Sequence, residues 1–169
     1  TVQDLETEFK EQEYAVSLTF FNDQVFPVIK NAKPTSLNPL TTMSYIPSGS
    51  TALLDAIGKS IYDIKSVYGP EIEQDLASVV LIIITDGEEN VSRFYTYHDI
   101  ARMIKELDAT ERWTFSFLGA DLDAIHTSRM LNIRNENVMS FSKENYECMM
   151  SDVSDSMREY SKTKARLKD

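Results

Sequence analysis

Residues Val79 to Ile84 form an uninterrupted apolar run, mostly β-branched, that passes directly into Thr85, Asp86 and Gly87. A run this short and this apolar is expected to form a strand covered on both faces, as in a parallel sheet flanked by helices. In open α/β sheets, ligands bind beyond the carboxyl ends of such strands. Asp86 therefore leaves the sheet where a ligand or metal is expected. Its carboxylate is a hard oxygen donor on a stiff strand, with room provided by Gly87.

A chain of 169 residues with 42% hydrophobic content has the size of one domain with one core. Acidic residues outnumber basic ones 27 to 17, for a formal net charge of -10. That balance argues against a nucleic-acid partner, because phosphate-backbone binding depends on clustered Lys and Arg. It favours attraction for cations. No run reaches the roughly 18 apolar residues of a membrane-spanning helix, so no membrane partner is expected. The start, Thr1 to Glu6, lacks both the basic and the apolar region of a secretory signal. One cysteine, Cys148, leaves no internal disulfide framework and no cysteine-rich zinc site. A cytoplasmic domain is the expectation.

Helical and strand periods alternate along the chain. Val2, Leu5 and Phe9 mark the end of an amphipathic helix over 2–11. Tyr14 to Phe21 reads as a strand, Asn22-Asp23 as a turn, and Val25 to Ile29 as the returning strand of a hairpin. Residues 31–50 hold three of the five prolines and read mostly as loop. A helix is expected from Ser50 or Thr51, with Leu53, Leu54, Ile57, Ile61 and Ile64 as its stripe and Gly69-Pro70 as its stop. Residues 71–76 read as a short acidic linker or helix extension. Beyond the central strand come a helix over Tyr97 to Leu107, a strand over Trp113 to Leu118, and a short helix carrying Ile125 and Met130, capped by Asp121. A last strand over Val138 to Phe141 and a long helix over 143–165 complete the series, with Met149, Met150, Met157 and Tyr160 facing the core. This alternation predicts an α/β fold: a three-layer α/β/α sandwich around a mostly parallel central sheet, with one antiparallel edge hairpin strand.

The segment Pro47 to Gly58 is the second informative one. Ser48-Gly49-Ser50 feeds a helix, and Thr51 lies at or next to its N-terminus. Two readings stand side by side. Ser50 or Thr51 is an N-cap, contributing about 0.5–2 kcal/mol, or Thr51 is a hydroxyl ligand beside Asp86. Hydroxyl, carboxylate and water oxygens suit Mg²⁺ or Mn²⁺.

Gly49-Ser50-Thr51-Ala52-Leu53 opening a helix, and a β-branched strand ending Ile84-Thr85-Asp86-Gly87-Glu88-Glu89-Asn90, together resemble the von Willebrand factor type A domain. Phe117 to Ile125 resembles the version found in bacterial and phage proteins. The likeness runs through the whole chain in element order and is specific at 49–57 and 81–90. It implies a Rossmann-like fold and a metal-ion-dependent adhesion site assembled from three loops. By resemblance, Thr51 matches the second-loop ligand and Asp86 the third-loop ligand of a bound Mg²⁺ or Mn²⁺. No Asp-x-Ser-x-Ser stands in the first-loop position, since the one match, Asp152 to Ser156, falls within the expected final helix, and residues 1–12 resemble the helix that follows that loop. The implied domain, 1–169, is thus N-terminally incomplete. Its absent first strand would lie between the strands at 14–21 and 79–84. Unpaired buried backbone groups cost on the order of 1–3 kcal/mol each, against a stability of roughly 5–15 kcal/mol. The expectation is that an upstream strand and metal loop belong to the biological polypeptide.

Other polar residues carry weaker signals. Glu88 and Glu89 read either as acids ringing the metal or, the favoured reading, as solvated loop acids that tune its electrostatics, Asp55 as a surface or capping residue, and Asp121 and Asp123 as caps. His98 and His126 lack the paired spacing of a zinc motif, and Cys148 reads as packing. The resemblance implies a noncatalytic binding module whose metal accepts an Asp or Glu carboxylate from a protein partner. A degenerate, metal-free assembly part is the alternative. A metal-dependent hydrolase using Asp86 is the third reading, though no positioned lysine, carboxylate pair or His base supports it.

Overall fold

The computed structural model describes residues 2–41, 49–120, 123–142 and 145–166. Its elements are α1 (Val2–Glu8), β1 (Val16–Phe21), β2 (Val25–Ala32), α2 (Leu53–Glu73), β3 (Val79–Thr85), α3 (Tyr97–Asp108), β4 (Trp113–Ala120), α4 (Asp123–Met130), β5 (Val138–Phe141) and α5 (Tyr146–Arg166). The chain divides into two compact units. One comprises 1–19, 27–46 and 143–169, the other 20–26 and 47–142.

In the second unit, β3, β4 and β5 form a parallel sheet in that order. Val79 to Thr85 pair in register with Trp113 to Gly119, and Phe117 to Ala120 with Val138 to Phe141. All three strands therefore end on the same side, and Asp86 emerges there. One face of the sheet builds the core: Leu81 and Ile83 of β3 and Trp113, Phe115 and Phe117 of β4 pack with Leu53, Ile57 and Ile61 of α2 and Ile100 and Ile104 of α3. Gly119 is required by a close approach, since a Cβ there would fall 2.6 Å from the Ala124 Cβ.

The expected single sheet is instead two. β1 and β2 pair as a separate two-stranded sheet, closed by a tight turn in which the Asn22 N–H donates to the Gln24 carbonyl at 2.9 Å. Mixed α/β architecture with a parallel sheet holds, while one continuous central sheet does not. β3 is the outer strand of its sheet, and the described residues supply no strand to pair with its free edge. Its second face is correspondingly open: Ile82 is half-buried and Ile84 is 42% exposed, so the strand is not covered on both faces.

Local corrections have physical causes. α2 starts at Leu53 and runs through Gly69 and Pro70 to Glu73. Proline removes one ladder donor but leaves its own carbonyl intact. The last turn closes on that carbonyl through the Gln74 N–H at 3.1 Å, while Ile72 anchors the turn in the core. In α4 the buried positions are Ala124 and Ser128, and Ile125 and Met130 are exposed. In α5 Met149 is buried, whereas Met150 and Cys148 are exposed, so neither of the latter is core packing. The cap assigned to Asp121 lies outside the described residues.

Within the first unit, α1 packs on the 3-10 turn Pro34–Ser36 and on α5. Leu5 and Pro34 are buried there, and Arg158 lies 3.4 Å from Glu8 and 3.8 Å from Asp4.

Candidate functional site

The start of α2 and the loop after β3 build one corner of the second unit. An α-helix leaves its first N–H groups without intrahelical partners. In α2 the N-cap is Ala52, which has no side chain able to accept a hydrogen bond. Loop acceptors from 89–92 substitute. The Leu54 N–H donates to Glu89 Oε2 at 2.9 Å, and the Asp55 N–H to Ser92 Oγ at 3.1 Å. The Ala52 N–H donates to the Asn22 carbonyl at 2.6 Å, which ties the hairpin turn to the same corner. The N-cap reading of Ser50 or Thr51 is therefore corrected.

Glu89 does more than reach the helix. Its Oε1 accepts from the N–H groups of Val91 at 2.9 Å and Ser92 at 2.7 Å, and its Oε2 also accepts from the Ser92 hydroxyl at 2.7 Å. A carboxylate at a helix N-terminus is further favoured by the helix dipole. Asn90 completes the clamp: its Oδ1 accepts from the Thr51 N–H at 2.9 Å, and its own N–H donates to the Thr51 carbonyl at 3.1 Å.

Asp55 is buried, at 7% exposure, and not a surface residue. Its Oδ2 accepts from the Arg93 N–H at 2.8 Å, and its Oδ1 from the N–H groups of Phe94 at 2.9 Å and Tyr95 at 3.0 Å. The next residue begins a capping box. Thr96 accepts from the Asp99 N–H, and the Asp99 carboxylate accepts from the Thr96 N–H at 3.0 Å and its hydroxyl at 2.6 Å. Those bonds from Thr96, aided by Arg102 and His98, hold the Asp99 carboxyl below its ordinary range. The Tyr97 phenol is shifted upward by burial, with the negative charges of Glu89 and Glu88 adding to the effect.

The two sequence-predicted ligands stand apart from this network. Thr51 and the Asp86–Gly87 turn are brought together: a Cβ on Gly87 would lie 2.7 Å from Thr51 Oγ1. Only glycine permits that approach. The turn is fixed by the Thr85 hydroxyl, which donates to the Gly87 carbonyl at 3.0 Å and accepts the Gly87 N–H at 3.2 Å. Asp86 is exposed, and among the described residues neither its carboxylate nor the Thr51 hydroxyl has a hydrogen-bond partner. A hydroxyl and a carboxylate at one sheet end fit the oxygen-donor preference of Mg²⁺ or Mn²⁺. Two donors are too few to enclose such an ion, and the described residues contain no group of three His, Cys, Asp or Glu side chains placed to hold one.

No family model matches this chain, and no curated protein does. The assignment of Thr51 and Asp86 thus stands on motif and geometry. Sequence reasoning missed the structural roles of Glu89, Asn90 and Asp55. No local signal marked those roles, because each depends on a partner more than thirty residues away.

Proposed function

We propose that this protein is a noncatalytic binding module of the von Willebrand factor type A kind. In this reading Thr51 and Asp86 supply two oxygen ligands of an Mg²⁺ or Mn²⁺, and a protein partner's Asp or Glu carboxylate completes the shell. The reading requires further oxygen ligands besides these two. The single observation that carries the reading is the Thr51 hydroxyl seated against Gly87, beside an exposed Asp86, with both donors lacking a protein partner among the described residues. When bound, the metal supplies a directional, charged contact. The chain's own part is to hold the two donors still. Asn90 clamps the Thr51 backbone, and Thr85 sets the turn that carries Asp86.

The test is partner binding by the full-length protein in Mg²⁺, in Mn²⁺ and in EDTA, with and without Asp86→Ala. Loss of binding in EDTA and on substitution supports the reading; binding that survives both sinks it. A metal-free structural role is the second reading. It is favoured by the Glu89, Asn90 and Asp55 network, which builds the corner from protein groups alone. Among the described residues, no helix is long and apolar enough to cross a membrane.

A further inference from the structure

Phe94 is 85% exposed, the most exposed large apolar side chain among the described residues. Its backbone is held in place: the N–H groups of Arg93, Phe94 and Tyr95 all end on the buried Asp55 carboxylate. On the C-terminal side, the Thr96–Asp99 capping box fixes the chain as it enters α3. The Tyr95 ring lies against the α2 backbone at Gly58, where any Cβ would overlap it. An aromatic presented on a loop so constrained has little ordering entropy left to lose on binding.

The next residue, Tyr95, lines an open depression of about 350 Å³ together with Ile61, Tyr62, Lys65, Ser66 and Met103. Tyr62 is itself 64% exposed, so Phe94, Tyr95 and Tyr62 offer aromatic surface on one unit. Charge distinguishes this patch from its surroundings. Within a chain of net charge -10, Lys65 and Arg93 are exposed and have no ion pair among the described residues. Lys59, one turn earlier on α2, is by contrast neutralised by Asp63. Aromatic anchors flanked by uncompensated cations match a ligand that is both apolar and acidic.

We propose that the α2–α3 groove and Phe94 dock an acidic peptide segment of a partner protein, carrying a Phe or similar large apolar residue. The apolar side chain enters between Tyr62 and Tyr95, and flanking carboxylates face Lys65 and Arg93. This contact needs no metal. It goes beyond the reading of Thr51 and Asp86 and fails or succeeds independently of it.

The test uses fluorescein-labelled Asp-Glu-Phe-Asp-Glu, Asp-Glu-Ala-Asp-Glu and Lys-Lys-Phe-Lys-Lys peptides, titrated with the protein in EDTA and read by fluorescence anisotropy. Saturable binding is expected for the first peptide, about tenfold weaker binding for the other two, and weakening as salt is raised. Phe94→Ala and Lys65→Glu each reduce affinity for the first peptide by about tenfold. Both side chains are exposed, so an unchanged urea midpoint shows that the fold is kept. Asp86→Ala leaves the binding intact. No saturable binding of the acidic aromatic peptide, equal binding of all three peptides, or indifference to Phe94→Ala overturns the proposal.

Discussion

Asp86 and Glu89 are three residues apart in one loop and live in opposite circumstances. Glu89 accepts four hydrogen bonds, one of them from the start of α2. Asp86 is exposed and accepts none among the described residues. Asp55 sides with Glu89, since three successive backbone N–H groups converge on its carboxylate. The contrast teaches how to separate scaffold from site. A carboxylate saturated by backbone donors is spent on holding the chain, whereas one left bare beside an equally bare hydroxyl is available to something else.

Substitutions can break this contrast, and the largest effect is expected at Asp55. Asp55→Ala strands three backbone donors at once, and each unmet buried donor costs about 1–3 kcal/mol. A loss of about 3 kcal/mol or more is expected in urea denaturation, with Asp55→Asn milder because it keeps one acceptor oxygen. Next comes Glu89→Ala, which uncaps α2 and frees Val91 and Ser92; a loss of about 2 kcal/mol is expected, read the same way. A cost near that of alanine at an ordinary surface position would show that water replaces the carboxylate and would erase the contrast.

Gly87→Ala sharpens the comparison from the other side. The added Cβ meets Thr51 Oγ1, so the hydroxyl must move; overpacking of this kind costs about 1–3 kcal/mol, and the low end is expected at a half-buried turn. Its diagnostic readout is partner binding, which should fall as far as for Thr51→Ala if the hydroxyl is a ligand. A smaller effect is expected from pH. The folded Asp99 carboxyl is held below its ordinary range. Its contribution is therefore complete above the unfolded-state value and is lost as pH falls through the folded one. Thr96→Ala weakens that acid dependence by removing the hydroxyl bond and leaving the backbone one, which urea midpoints across an acidic pH series check. Least affected is the stability of Asp86→Ala, expected to stay within about 0.5 kcal/mol of the parent because the carboxylate has no partner to lose among the described residues. A large destabilisation there would place Asp86 with the scaffold acids.

Much of this was legible in the pattern of residues. The run Val79 to Ile84 specifies a strand because six consecutive apolar side chains in so short a stretch suit little else, and the structure pairs it in parallel with Trp113 to Gly119. The stripe from Leu53 to Ile61 specifies a helix, and Asn22-Asp23 a turn. Where reading failed, long-range partners decided. Pro70 does not stop α2, because Ile72 is anchored in the core and the Gln74 N–H closes the turn. Ile84 is exposed because exposure depends on which strands and helices lie alongside, and β3 is an outer strand.

The same division runs through the candidate site. Sequence alone determined that an aspartate leaves the apolar strand at Asp86, followed by a glycine, and that a hydroxyl at Thr51 precedes a helix. Residue type and local periodicity suffice for that, because the physics involved spans a few neighbouring residues. Tertiary structure alone decided that Thr51 rests on Gly87, that Glu89 caps α2, and that Asp55 is buried under 93–95. Each of those contacts joins residues more than thirty positions apart, and a carboxylate looks the same in sequence whether water or three backbone N–H groups will surround it.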